Sequence, residues 1–277
     1  ELEGAGRIED MADGSLAAPD TVSSHGAAPC YVSVDAAGRH CYVANYGSGT
    51  IAAYRLSADG GYAELTAVHQ QHGSGPHPRQ DGPHAHCVVP NPHGPGVHAA
   101  DLGTDRIVRY THRPDGAFEP DGEVALAPGC GPRHLAFHPG DPIAFAVGEL
   151  DSTVVTLSVD PVSGGLRPLH VDATLPSTER GDSIAAEVRV HPTGRFVYVS
   201  NRGHDSIAAF AQWALDDLDA RGVQRFHLVG HSMGGTVSLS TAVRYPERVV
   251  KVVVIGSPVK GTSLNVLLRV SDNQSFA

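Results

Sequence analysis

The chain has 277 residues, of which 41% are hydrophobic and 18% charged, with 32 glycines and 20 prolines. That is enough apolar content for one large domain or two modest ones, and its turn-rich composition favours many short strands over long helices. A formal net charge of −10 argues against nucleic acid and anionic membrane as partners, and no apolar run nears the roughly 18–20 residues of a membrane span.

The first residues, Glu1-Leu2-Glu3-Gly4, are acidic and lack both an initiator Met and the apolar core of a secretory signal, as in a chain cut from something longer. The expected compartment is therefore cytoplasmic and reducing. Four cysteines (Cys30, Cys41, Cys87, Cys130) are scattered without a C-x-x-C pair, which speaks against a zinc site. A Cys30–Cys41 disulfide would need adjacent antiparallel strands and an oxidising compartment, so free thiols are expected. Both lysines (Lys251, Lys260) and the single tryptophan (Trp213) follow residue 210. Residues 1–210 carry 25 acids against 13 arginines, whereas 211–277 carry 5 acids against 7 bases. This shift places a boundary near Phe210-Ala211, giving domains 1–210 and 211–277.

In chain order, Gly14 to Val22 reads as the last strand of a blade that precedes a repeat. Four copies of that repeat follow: Pro29 to Tyr54, Pro83 to Tyr110, Pro132 to Leu157, and Glu187 to Phe210. Matching positions recur after 54 (Pro29 to Pro83), 49 (Pro83 to Pro132) and 53 residues (His138 to His191). Each copy reads as a strand of about six residues, a Pro/Gly turn, a second strand, a polar hairpin and a third strand. A more variable fourth strand follows, such as Glu64 to His69. Four antiparallel strands at about 50 residues per unit match a propeller blade, and no segment shows a helical 3.6 period. The expected fold is mainly β: an incomplete propeller of about four blades plus part of another, with a C-terminal α/β segment.

Propellers bind ligands where loops between blades converge. Asn45, Asp101, Glu149 and Asn201 each follow the second strand of their unit. Asn and Asp also form turns at strand ends, whereas glutamate is a poor turn residue, and Arg202 adjoins Asn201. At the strand starts, Pro83-His84-Ala85-His86 sets two histidines on one side by period-two geometry, and Gly131-Pro132-Arg133-His134 brings an arginine to the matching entry of the next unit. The histidines also fit a general habit, since the chain has 17. No carboxylate or cysteine at ligand spacing completes a metal site around them.

These strings, with Gly75-Pro76 to Arg79-Gln80, Asp101 to Asp105, Glu149-Leu150 and Ser200 to Ile207, resemble the seven-bladed propeller lactonases over about residues 26–210. That group includes bacterial 6-phosphogluconolactonase and is similar to the fungal carboxymuconate-lactonizing enzymes. The resemblance implies a cofactor-free, metal-free site for a small-molecule lactone, with catalytic His86, Arg133, Glu149, Arg202 and His84, and substrate-binding Arg79, Gln80, Asp101, His134 and Asn201. Opening a lactone needs a base for water and stabilisation of the carbonyl oxyanion. Glu149 or a neutral His86 suits the first task. Arg133 and Arg202 suit the second, or hold a phosphate or carboxylate.

After Phe210 the pattern changes. Gln212 to Ala220 reads as an amphipathic helix and Arg225 to Val229 as a buried parallel strand. Gly230-His231-Ser232-Met233-Gly234 follows, then a helix through Val249 and a strand from Val252 to Ile255. Strand, G-x-S-x-G, helix, strand is the nucleophile-elbow context, and this segment resembles an α/β-hydrolase. Ser232 is the alternative nucleophile. That family orders its triad Ser, acid, His, yet no histidine follows His231. Without a base, a serine hydroxyl is a weak nucleophile. The leading expectation is a sugar-lactone hydrolase whose truncated propeller limits activity; the alternatives are an esterase through Ser232 or a non-catalytic chimera. Unclosed blades expose strand edges, which predicts marginal stability and self-association.

Overall fold

The computed structural model describes residues 4–7, 20–58, 62–114, 116–176, 182–210, 224–231 and 247–255. Among the described residues every regular element is a strand. The chain divides into two compact units, residues 1–190 with 198–208, and residues 191–197 with 209–277.

β1 (Gly4–Arg7) pairs antiparallel with β2 (Asp20–Ser23). The strand expected at 14–22 is thus described only from Asp20 onward, and its earlier part lies outside the described residues. Three four-stranded antiparallel sheets follow. The first is β3 (Pro29–Val34), β4 (His40–Asn45), β5 (Thr50–Leu56) and β6 (Tyr62–Gln70). The second is β7 (Ala85–Pro90), β8 (Val97–Asp101), β9 (Arg106–His112) and β10 (Phe118–Ala125). The third is β11 (Pro132–Phe137), β12 (Ile143–Gly148), β13 (Thr153–Val159) and β14 (Leu166–Ala173). A three-stranded sheet completes the set: β15 (Ile184–Val190), β16 (Val197–Arg202) and β17 (Ser206–Phe210). The strands run in chain order across each sheet. Each first strand packs on the next sheet's first strand, β3 on β7, β7 on β11 and β11 on β15. The mainly β propeller expected from the repeat is what the chain forms.

Period-two geometry explains the composition of the middle strands, because each must bury both faces. On β4, Tyr42 and Ala44 pack toward the second sheet against Ala85, Val88, Ala99, Tyr110 and Phe118. The intervening Cys41 and Val43 join Ala52, Tyr54 and Val22 of β2 on the opposite face. On β8, Ala99 faces the first sheet, and Ala100 faces Leu135, Ala144, Ala146 and Val155 of the third. Small residues at these crossings let adjacent sheets approach closely. Outward from this core the fourth strands are mostly exposed, as in β14. Val32 and Val34, on the face of β3 that alternates with the buried one, are 57% and 50% exposed, the apolar surface expected where a blade lacks a full neighbour.

The abundance of histidine has a structural use between sheets. From Nε2, His69 donates to the Phe118 carbonyl, His93 to that of His138 and His98 to that of Gly164. All four cysteines are free thiols; Cys41, Cys87 and Cys130 are buried and Cys30 is exposed.

In the second unit, β18 (Phe226–His231) and β19 (Val249–Ile255) form a parallel pair. Parallel neighbours require a crossover, the connection an α/β segment supplies. The helix expected through Val249 does not extend to it, because Glu247 and Arg248 form a turn and β19 begins at Val249; residues 232–246 lie outside the described residues. The guanidinium of Arg248 caps the buried Phe226 ring at 5.6 Å. Ser232 and the helix expected at 212–220 lie outside the described residues.

Burial drives the pKa of His98 from 6.5 down to about 4, and His86 is lowered to the same level. The unfolded chain therefore binds more protons than the folded one between these values, so stability is full above pH 6.5 and falls as the pH drops toward 4. Unfolding free energy should decline over that window by at most about 1.4 kcal/mol per pH unit per histidine, seen in calorimetry as a falling Tm. His98→Gln should flatten the decline.

Candidate functional site

Two positions in each blade aim side chains at the region where the first strands begin. The pairing of first and second strands is irregular at the same place in three sheets: it skips between Pro29 and Tyr31, between Ala85 and Cys87, and between Pro132 and His134. The unpaired residue is Cys30, His86 and Arg133 respectively. A β-bulge of this kind re-aims one side chain out of the alternating pattern. His86, rather than His84, is thus the equivalent of Arg133, two residues later than the sequence alignment of Pro83 with Pro132 implies.

The second position opens the hairpin between second and third strands. Asn45 pairs with Thr50, Asp101 with Arg106 and Gly148 with Thr153. Glu149 is therefore not in register with Asn45 and Asp101, as the sequence suggests. It stands one place later, level with Tyr46, Leu102 and Arg202. At Gly148 the place of the Asn side chain is taken by Asp151, whose Oδ1 would lie 2.4 Å from a Cβ there. Asp151 accepts from Thr153 Oγ1 at 2.7 Å instead, which leaves Glu149 free of the turn.

Glu149 is 1% exposed and faces three arginines. Its Oε1 lies 2.7 Å from Arg79 Nη2, and its Oε2 lies 2.8 Å from both Arg133 Nε and Arg202 Nη2. Burial alone would raise the carboxyl, but the close approach of Arg79 and the charges of Arg202, Arg79 and Arg133 outweigh it and hold the pKa below the ordinary range. The contacts are close but imperfectly directed: Glu149 Oε1 and Arg133 Nε meet no partner at hydrogen-bonding angles. Arg133 also donates through Nη1 to the Ala186 carbonyl at 2.9 Å.

The histidines complete the cluster on the other side. His84 stacks on Tyr46 at 4.5 Å and 15°, with Nδ1 3.0 Å from the Tyr46 carbonyl. His86 meets Tyr46 edge-on at 5.4 Å and His134 edge-on at 5.2 Å. Its Nδ1 lies 3.8 Å from Cys30 Sγ. Burial, then the neighbouring Arg133 and His134, push His86 down to about 4, so it is neutral at pH 7. His134 Nδ1 lies 2.9 Å from Glu187 Oε2, and its ring lies beside Arg133.

Three of the residues assigned to substrate are turned inward. Gln80 is fully buried: Nε2 donates to Leu102 O at 2.8 Å and Asp105 Oδ1 at 2.7 Å, while Oε1 accepts from His77 N. These bonds brace the loop that presents Arg79. Asp101 Oδ1 accepts from the backbone of His84, Gly103 and Thr104, fixing two strand ends at once. Asn201 bonds Thr174 and Ser206, as Asn45 bonds Ser24 and Thr50. These carboxamides and the Asp101 carboxylate latch turns through their side-chain polar atoms. Gly131, whose nitrogen donates to Asp105 Oδ1, must be glycine: φ is +60°, and a Cβ would meet Leu150 at 2.7 Å. Tyr46 was not legible as a site residue from sequence; aligning each hairpin on the left-handed residue before its third strand, Gly49, Asp105, Ser152 or Asp205, would have found it.

A broad open trough of about 860 Å³, bordered by Val34, Pro90, Phe137 and Val190, lies at the far ends of the first strands. None of Arg79, Arg133, Glu149 or Arg202 borders it. Among the described residues no group of three or more His, Cys, Asp or Glu side chains is arranged to hold a metal ion, and no helix is long and apolar enough to cross a membrane.

Fold and site together define a propeller whose polar side chains converge where its inner strands begin. The chain belongs to the seven-bladed β-propeller lactonase family, whose model matches residues 5–223. It is 39% identical over 185 residues to 6-phosphogluconolactonase of Bacillus subtilis, covering 67% of this chain and 53% of that protein. Among solved structures it is similar to a protein from Lactobacillus plantarum, with 33% identity and a TM-score of 0.68 over 76% of this chain and 62% of the other. It is also similar to a periplasmic gluconolactonase of Pseudomonas aeruginosa, with 30% identity and a TM-score of 0.67 over 75% and 59%. The chain spans about half the length of the curated relatives it matches. A second model, of the alpha/beta hydrolase fold, matches residues 171–276 and overlaps the first.

Gln80→Ala should lower stability by about 1–3 kcal/mol, because Asp105 and the Leu102 carbonyl lose a buried donor. Chemical denaturation measures this, and any activity of the site should fall with it as Arg79 loosens.

Proposed function

We propose that the propeller hydrolyses an anionic sugar lactone, in the manner of 6-phosphogluconolactonase. The observation that carries this reading is the buried Glu149 carboxylate ringed by Arg79, Arg133 and Arg202. Three guanidiniums against one carboxylate leave a local excess of positive charge in an otherwise acidic chain, and local field rather than net charge steers a ligand. Guanidiniums bind phosphate and carboxylate groups by paired hydrogen bonds.

In this reading the substrate's anionic group draws arginines away from Glu149, whose pKa then rises toward a useful base. A water gives its proton to Glu149 or to neutral His86 while its oxygen bonds to the lactone carbonyl carbon. Arg133 stabilises the oxyanion. The carbon–ring-oxygen bond then breaks, the ring oxygen takes up a proton, and the open-chain acid leaves. The hydrolysis needs only water as co-reactant. The family match and the Bacillus subtilis relative support the lactone class.

The α/β-hydrolase likeness has its own support in the parallel β18–β19 pair and the second family match. We read residues 211–277 as a separate segment on that ground. Hydrolysis through Ser232 lacks a following histidine in this chain.

A pH-stat assay with 6-phosphoglucono-δ-lactone, corrected for spontaneous opening, tests the proposal. Glu149→Gln and Arg133→Ala should each lower kcat/KM by at least about 100-fold, the scale of a lost base or oxyanion donor. Ser232→Ala should leave lactone hydrolysis intact; if it alone abolishes hydrolysis, the propeller assignment is wrong. Activity should hold from pH 7 to pH 5 and fall as His86 takes a proton near pH 4.

A further inference from the structure

The side chains of the cluster form a closed circuit: Glu149 to Arg79, Arg79 to Tyr46, Tyr46 to His86, His86 to His134, His134 to Arg133, and Arg133 back to Glu149. Tyr46 joins its two halves, the arginines around the carboxylate and the aromatic rings of the first two blades. It is half-buried and shares the register of Glu149 and Arg202, so the same turn geometry that aims those groups aims its ring.

The chemistry of its hydroxyl contact is asymmetric. Tyr46 Oη lies 3.5 Å from Arg79 Nη2. A guanidinium has donors and no acceptor, so Arg79 takes only a lone pair of that oxygen. The hydroxyl proton is left for another acceptor. The ring meanwhile lies flat against His84 and edge-on to His86, covering the imidazole from water.

We propose that Tyr46 is a specificity-determining residue of this site, donating its hydroxyl proton to a substrate oxygen beside the Arg79 guanidinium while its ring packs on His86. This rests on the lactonase reading above and adds a substrate requirement to it: a hydroxyl or ring oxygen within reach of the Tyr46 hydroxyl next to Arg79. A site that hydrogen-bonds such an oxygen discriminates against a ligand lacking it.

The full-length chain and its Tyr46→Phe and Tyr46→Leu variants should be compared with 6-phosphoglucono-δ-lactone in the pH-stat, and by titration calorimetry with 6-phosphogluconate. Tyr46→Phe keeps the ring and removes the donor, so kcat/KM should fall about tenfold, carried by KM, with an equal loss of product affinity. Tyr46→Leu should lower kcat as well and move the acid limb of the pH profile up toward the ordinary imidazole value as His86 is uncovered. Wild-type KM and product affinity in Tyr46→Phe, within twofold, would overturn the Tyr46 assignment alone. A wild-type chain that neither hydrolyses the lactone nor binds 6-phosphogluconate would overturn the lactonase reading and this inference together.

Discussion

A carboxylate taken out of water stays ionised only where cations are held against it, and Glu149 depends on three of them drawn from separate parts of the chain. Arg79 comes from a loop before the second blade, Arg133 from the first strand of the third, and Arg202 from the second strand of the fourth. Each of these segments contributes to holding the group below its ordinary pKa. The site therefore exists only when several blades stand side by side, and its electrostatics and the packing of the sheets are one problem.

The packing meets that demand by alternation. Middle strands bury one residue toward each neighbouring sheet, as Ala99 and Ala100 do on β8, so every blade is the wall of two interfaces. Histidines then tie the outer parts together: His98 reaches from the second sheet to the turn at Gly164, and it stays neutral because burial disfavours its charge. Polar side chains within the turns do the finer positioning. Gln80 never meets solvent, yet it decides where Arg79 stands.

Much of this was legible in the sequence. The four repeats predicted the sheets, and the charged cluster was named residue by residue from its register in the repeat and the resemblance to the propeller lactonases. The errors share one cause. A bulge and a one-residue offset leave no mark in hydrophobic alternation, so His84 was aligned with Arg133, and Glu149 with Asn45 and Asp101. The same offset hid Tyr46, since a tyrosine after a strand reads as packing. Asp101, Gln80 and Asn201 hold turns, a role that a sequence does not distinguish from holding a substrate. At the other end of the chain, β18 and β19 follow their apolar runs, with β19 starting earlier than its valine cluster suggested.

The repeated bulge has a further consequence. By taking one residue out of the alternating count, it frees that position from the parity that governs every other residue on the strand. Cys30, His86 and Arg133 share no chemistry, yet the strands around them pack alike. Such a position works as a socket: its occupant can be exchanged without disturbing the wall behind it, and a scaffold with one socket per blade can acquire new reactions while its architecture stays the same.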